Sequence, residues 1–213
     1  MTKATDMALA ELMTTKYCHD LAGPIGAVNN GVEFLKDGDE NMKEQSIELL
    51  ETSAKEAVER LLFFRQAFGA TNKNMDVEMS HISEVCDHFF AQRKVNVHWE
   101  IDDLFHTLTG EMRHQLVKLL LNLMMAGSHL VVYGAEMKVS ISGSKKLKIS
   151  VTLEHEKLKD DPSVEGILCD LEHLPEMDSR NVQLYFTQKL ITEMGMQAKV
   201  SKSSGVFKVE VAH

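Results

Sequence analysis

Tyr17-Cys18-His19-Asp20-Leu21-Ala22-Gly23-Pro24-Ile25-Gly26-Ala27-Val28-Asn29-Asn30-Gly31 decides how this chain is read. Its apolar residues, continued outward, are Cys18, Leu21, Ile25, Val28, Val32 and Leu35, alternately three and four apart. That spacing is a heptad seam, which buries one stripe of a helix against a neighbour. Yet the same helix holds Gly23, Pro24, Gly26 and Gly31. In a helix interior glycine costs about 1 kcal/mol against alanine, and proline about 3 kcal/mol. Penalties gathered this closely point to a functional site.

A second seam follows, made of Ile47, Leu50, Ala54, Ala57, Leu61, Phe64 and Phe68. Lys36-Asp37-Gly38-Asp39-Glu40-Asn41 lies between the two. It offers a glycine suited to a helix C-terminus and acids suited to the next N-terminus. Residues 1–70 therefore read as a helical hairpin. Met13, Tyr17, Leu62 and Phe63 widen the stripes beyond what one hairpin can cover. Two hairpins pairing as a four-helix bundle in a homodimer is the expected solution. The alternative is a monomer in which the C-terminal half covers the hairpin.

Asn72-Lys73-Asn74 reads as a linker, and residues 75–213 as a second domain. Helices are predicted over Ser80–Lys94, Arg113–Leu130 and Asp178–Met194, the last ended by Gly195. Val95–Ile101 alternates as a strand does. Glu136–Gly143 and Lys146–Leu153 form a predicted antiparallel pair across Gly143-Ser144-Lys145, and Ala198–Ser201 and Val206–Val211 close around Gly205. Helices with antiparallel strands in this mixture give an α+β sandwich.

The net charge of -9 argues against nucleic acid, whose phosphates need a surplus of Lys and Arg. Cys18, Cys86 and Cys169 are dispersed, which fits a reducing compartment and forms no metal motif. The first residues are too polar for a secretory signal. The longest apolar run, Leu116–Met125, is interrupted by Lys118 and Asn122 and falls short of the ~20 residues of a membrane span. A soluble, cytoplasmic protein without membrane contact is expected. HExxH, GxSxG, the P-loop and the Rossmann glycines are all absent. His81 with His88, and His155 with His173, lack Cys or carboxylate partners at ligand spacing, so no metal site is expected.

With Cys18 and Leu21 on the seam, His19 points outward. Ala22, Gly23, Gly26 and Ala27 share its face one and two turns on, and all are tiny. His19 should therefore stand beside a bare surface that another protein can approach closely. Pro24 removes the hydrogen bond to the carbonyl of Asp20 and should bend the helix there. An exposed imidazole is partly neutral near pH 7 and can act as a nucleophile. Asp20 is a candidate to orient the ring or hold its tautomer.

His19-Asp20-Leu21-Ala22-Gly23-Pro24 resembles the phosphoacceptor box of histidine kinases, H-[E/D]-L-x-x-P. Extended through Ile25, Gly26, Ala27, Asn29, Asn30, Gly31, Glu33, Phe34 and Leu35, the pattern is closer to ChpT-type histidine phosphotransferases of alphaproteobacteria. One departure is Ala22, where kinases usually carry a basic residue. The resemblance implies a dimeric four-helix bundle followed by a domain like the kinase ATPase domain but without nucleotide. It also implies that His19 takes phosphate from a receiver aspartate of a hybrid histidine kinase and passes it to response regulators.

The kinase boxes can be tested one by one. The metal-binding asparagine of an N-L-x-x-N-A box falls on Ala126 within Asn122-Leu123-Met124-Met125-Ala126-Gly127, and alanine offers a hard cation no oxygen. No Asp-x-Gly-x-Gly turn lies between Leu153 and Leu174, where Asp161-Pro162 and Glu165-Gly166 are poor substitutes. Ser179-Arg180-Asn181-Val182-Gln183-Leu184-Tyr185-Phe186 holds no glycine where a phosphate loop belongs. A phosphotransferase without ATP, cofactor or metal of its own is expected, with Mg on the partner receiver. Its catalytic residues would be His19 and Asp20, and its docking face Ala22, Gly23, Gly26, Ala27 and Asn30. The runner-up is a non-catalytic dimeric module that binds a receiver or kinase and inhibits it. An active kinase ranks third.

Overall fold

The computed structural model describes residues 3–37, 40–70, 77–143, 147–170 and 174–213. The centre of the turn before Glu40, the Asn72-Lys73-Asn74 linker and the Ser144-Lys145 turn lie outside the described residues.

Two long helices form the hairpin, α1 (Lys3–Asp37) and α2 (Glu40–Phe68). Helix α1 runs through Pro24 without interruption. Where the two helices face each other the buried residues are small: Pro24 and Gly31 on α1, Ser46 and Ser53 on α2. A Cβ on Gly31 would sit 2.8 Å from Cγ of Leu50. This glycine, counted with the site in the sequence, is a packing residue that lets the backbones close.

Each seam divides in two instead of burying one stripe. Leu21, Val28 and Leu35 are half-buried, as are Leu50 and Ala57, while Phe64 is buried. Cys18, Ile25 and Val32 remain exposed, as do Ile47, Ala54 and Leu61; Ile25 and Leu61 each keep 56% of their surface. Six of the thirteen heptad positions lie open and the other seven are at least half-buried, Phe64 and Phe68 partly against Phe89 and Phe186 of the second half.

The remaining elements are α3 (Met79–Ala91), β1 (Val95–Ile101), α4 (Leu104–Thr107), α5 (Gly110–Ser128), β2 (Ala135–Ser142), β3 (Lys148–Glu154), α6 (Pro162–Leu168), α7 (Val182–Glu193), β4 (Gln197–Ser203) and β5 (Val206–Ala212). The five strands make one sheet in the order β1-β2-β3-β5-β4. The sheet is mixed: the two predicted antiparallel pairs, β2–β3 and β4–β5, lie side by side, and β1 adds at the edge. Strand β1 pairs with β2 in parallel, and the other pairs are antiparallel. A parallel neighbour needs a crossover, and α4 with α5 supplies it.

The helix expected from Asp178 begins at Val182, because Asp178–Asn181 is held in a side-chain-bonded turn. Glu78, ahead of Ser80, precedes α3. Helix α6 was not expected, although Asp161 caps Ser163 N–H at 3.0 Å and Pro162 takes the first helical position.

Helix α5 is the core of the second half, with Leu116, Leu119, Leu120, Leu121, Leu123 and Met124 fully buried. The hairpin shares that core. Phe63 stacks on Phe89 with ring centroids 3.8 Å apart and meets Phe90 edge-on at 5.6 Å. At the other end, Leu9 and Met13 of α1 pack on Val182, the first residue of α7.

Candidate functional site

His19 sits mid-way along α1 with 89% of its side chain exposed. A Cβ added at Gly23 or Gly26 would meet nothing within 4 Å. Ala22, Gly23, Gly26 and Asn30 are exposed and Ala27 is half-buried, so the expected bare face is present beside the ring. Its edge is marked by Asn29, whose amide donates to Glu33 at 3.1 Å.

The Asp20 carboxylate turns away from that face. Its Oδ1 lies 3.7 Å from His19 Nδ1, which is too long for a hydrogen bond. The other oxygen pairs with Lys16 Nζ at 3.4 Å. Nδ1 thus faces an anion.

Behind Asp20 lies a cavity of about 100 Å³ between α1, α2, α3 and α5, lined among others by Lys16, Arg60, Arg93 and His129. Asp20 is the acid of this basic cluster. Its backbone carbonyl, which Pro24 cannot serve, accepts from Nη1 of Arg60 at 2.6 Å. Arg60 also pairs with Glu56. Burial pushes His129 down to about 4, helped by Lys16 and Arg93, and among the described residues its Nε2 has no hydrogen-bond partner. Burial and the neighbouring Arg60 also lower Arg93. Burial, with the Asp20 charge, raises the Tyr17 hydroxyl well above its ordinary range. Of these residues only Asp20 and Tyr17 were singled out from the sequence. The signal that could have found Arg60 was Pro24 itself, which announces an orphaned carbonyl four residues earlier.

The stretches compared above with the kinase boxes are taken up by internal packing and hydrogen bonds. Asn122 and Ala126 on α5 are fully buried. Asn122 is bonded to Gln183 of α7, whose amide donates to its Oδ1 at 3.1 Å. At the start of α7 the Asp178 carboxylate accepts from the backbone N–H groups of Arg180 and Asn181 at 2.8 and 3.0 Å, and these bonds hold it below the usual carboxylate range. Among the described residues no group of three His, Cys, Asp or Glu is placed to hold a metal ion, and no helix is long and apolar enough to cross a membrane.

Residues 79–205 match the histidine phosphotransferase C-terminal domain. The chain belongs to the histidine phosphotransferase family. It is 28% identical over 194 residues to the protein phosphotransferase ChpT of Brucella abortus (strain 2308), covering 90% of this chain and 89% of that protein. A solved bacterial phosphotransferase superposes with a TM-score of 0.81 at 27% identity, covering 99% of this chain and 98% of the other. A weaker likeness, with a TM-score of 0.44 and 12% identity over 91% of this chain and 96% of the other, is to the Acinetobacter baumannii histidine kinase AdeS. Within this histidine phosphotransferase the sequence box around His19 lies on α1, outside the matched residues.

Proposed function

We propose that His19 is the phosphoryl carrier of a phosphorelay, taking phosphate from the receiver aspartate of a hybrid histidine kinase and delivering it to response-regulator aspartates. The observation that carries this reading is the almost fully exposed imidazole beside two open glycines, in a chain of this family. With its proton on Nδ1, the neutral ring presents the Nε2 lone pair to the acyl phosphate. The N–P bond forms as the acyl O–P bond breaks, and the aspartate leaves as its carboxylate with the bonding pair. The ring then carries positive charge, which the Asp20 carboxylate 3.7 Å away favours. Mg held by the receiver would neutralise the phosphoryl oxygens, so the chemistry asks of this chain position and a close-fitting face. Ala22, Gly23, Gly26, Ala27 and Asn30 form that face.

Two further features belong to the proposal. The chain works without ATP, supported by Ala126 in place of a metal-binding asparagine, by the α5–α7 contact through Gln183, and by the Asp178 carboxylate where a phosphate would meet the helix N-terminus. It acts as a cytoplasmic homodimer, supported by the open half-seams of Ile25, Val32, Ile47 and Leu61.

The test mixes the protein with a labelled phospho-receiver, beside His19→Gln and an ATP-only control. Label on wild type alone, and none from ATP, is expected. Binding of several receivers without label would make the chain a non-catalytic receiver-binding module, and label from ATP alone would make it a kinase.

A further inference from the structure

Where the hairpin ends, a fully enclosed polar cluster joins three helices. The Asn122 amide on α5 donates to the carbonyl of Ala67 in the last turn of α2 at 2.9 Å, and to Lys118 of its own helix at 2.8 Å. The Gln183 amide on α7 donates to the Asn122 carbonyl at 2.8 Å and to Thr187 Oγ1 at 2.9 Å. Asn122 and Thr187 have no exposed surface and Gln183 keeps 1%. The last carbonyls of a helix have no intrahelical donor. Here one of them is served from another domain.

Apolar contact, with Phe63 stacked on Phe89, holds α2 on the α/β domain, but apolar surfaces repack at a new angle at less cost than a buried hydrogen bond breaks. Buried hydrogen bonds do have direction, and breaking one strands its partners. We infer that Asn122, backed by Gln183, is a positioning residue that fixes the angle of the His19 hairpin against the α/β domain. The second domain becomes a stationary wall of the receiver's seat rather than a lobe that swings. This rests on the phosphotransfer reading of His19. The first asparagine of the stretch that resembles a kinase N-box thus bonds to the hairpin.

The test compares two phosphoryl donors on the full chain. Phosphoramidate needs only an exposed ring, whereas a phospho-receiver needs the seat. Asn122→Leu and Asn122→Leu/Gln183→Leu are measured beside Val209→Ala, a cavity variant in the sheet core that lowers stability without touching the cluster. Expected is labelling of His19 by phosphoramidate at the wild-type rate in all four proteins. With the phospho-receiver, the two cluster variants should lose roughly ten-fold or more in kcat/KM, chiefly through KM, while Val209→Ala does not. Receiver-dependent transfer within about two-fold of Val209→Ala would overturn the inference. So would a parallel fall with both donors, which means local unfolding. Wild type unlabelled by either donor would sink the phosphotransfer reading itself.

Discussion

The carbonyl oxygen of Asp20 and the guanidinium of Arg60 are joined by a 2.6 Å hydrogen bond that replaces the helical bond Pro24 cannot make. This side chain from α2 lets α1 continue as one helix past the proline, with His19 directly before the repaired turn. Arg60→Met should lower stability by about 1–3 kcal/mol, the usual penalty for stranding a half-buried acceptor. Pro24→Ala returns a backbone N–H to the Asp20 carbonyl. In that background Arg60→Met should cost clearly less, and a double-mutant cycle by urea unfolding measures the coupling. Additive effects would mean that Arg60 acts through Glu56 or the cavity instead.

Two glycines of α1 should respond in opposite ways. Gly31→Ala pushes a methyl to within 2.8 Å of Leu50 Cγ, so it should destabilise the hairpin by about 1–3 kcal/mol. Gly26→Ala meets open space, so helix propensity alone should stabilise it by roughly 0.5–1 kcal/mol. Gly26→Leu should remain folded yet slow receiver-dependent transfer by roughly ten-fold or more. Thermal melts and transfer rates on the same three proteins separate the packing glycine from the docking one. Normal transfer in a folded Gly26→Leu protein would remove this face from the docking surface.

Much of this arrangement could be read from the chain. Heptad spacing gave the hairpin, alternation placed β1 at Val95–Ile101, and the small residues around His19 gave its bare face. What escaped was decided by distant partners. The parallel pairing of β1 with β2 depends on the crossover through α5, and no local pattern encodes it. Helix α6 carried a start signal in Asp161-Pro162, but seven residues leave little periodicity to follow it. The roles of Arg60 and Asn122 are bonds across 40 and 55 residues of sequence; Pro24 announces the first acceptor, but no local pattern names either partner.

The open half-seams give a prediction about assembly. Ile25 on α1 and Leu61 on α2 each keep 56% of their surface, and Ile47 keeps 50%. Residues seven apart on facing helices form one continuous stripe when two hairpins meet. Ile25→Lys with Leu61→Lys should convert a dimer to a monomer in sedimentation velocity. Helix content should be largely retained, because Pro24, Gly31, Ser46 and Ser53 still pack inside each hairpin. An unchanged sedimentation coefficient, whether monomer or dimer, would place any interface elsewhere.

His129 makes the last prediction, on stability against pH. Its imidazole is held neutral by burial first, then by the cations Lys16, Arg93 and Lys159, while Asp20 pulls the other way. In the folded chain it gains a proton only near pH 4, whereas an unfolded histidine does so near 6.5. Between those values the unfolded chain binds more protons, so stability rises with pH. The neutral ring therefore supports the fold fully above about pH 6.5, and that support drains away as pH falls toward 4. The loss is up to about 3 kcal/mol. Among the described residues its Nε2 has no hydrogen-bond partner to lose, so His129→Leu should be tolerated at pH 7.5. Urea midpoints from pH 7.5 to 4 should fall less steeply for His129→Leu than for wild type. Parallel curves would assign the acid sensitivity to other groups.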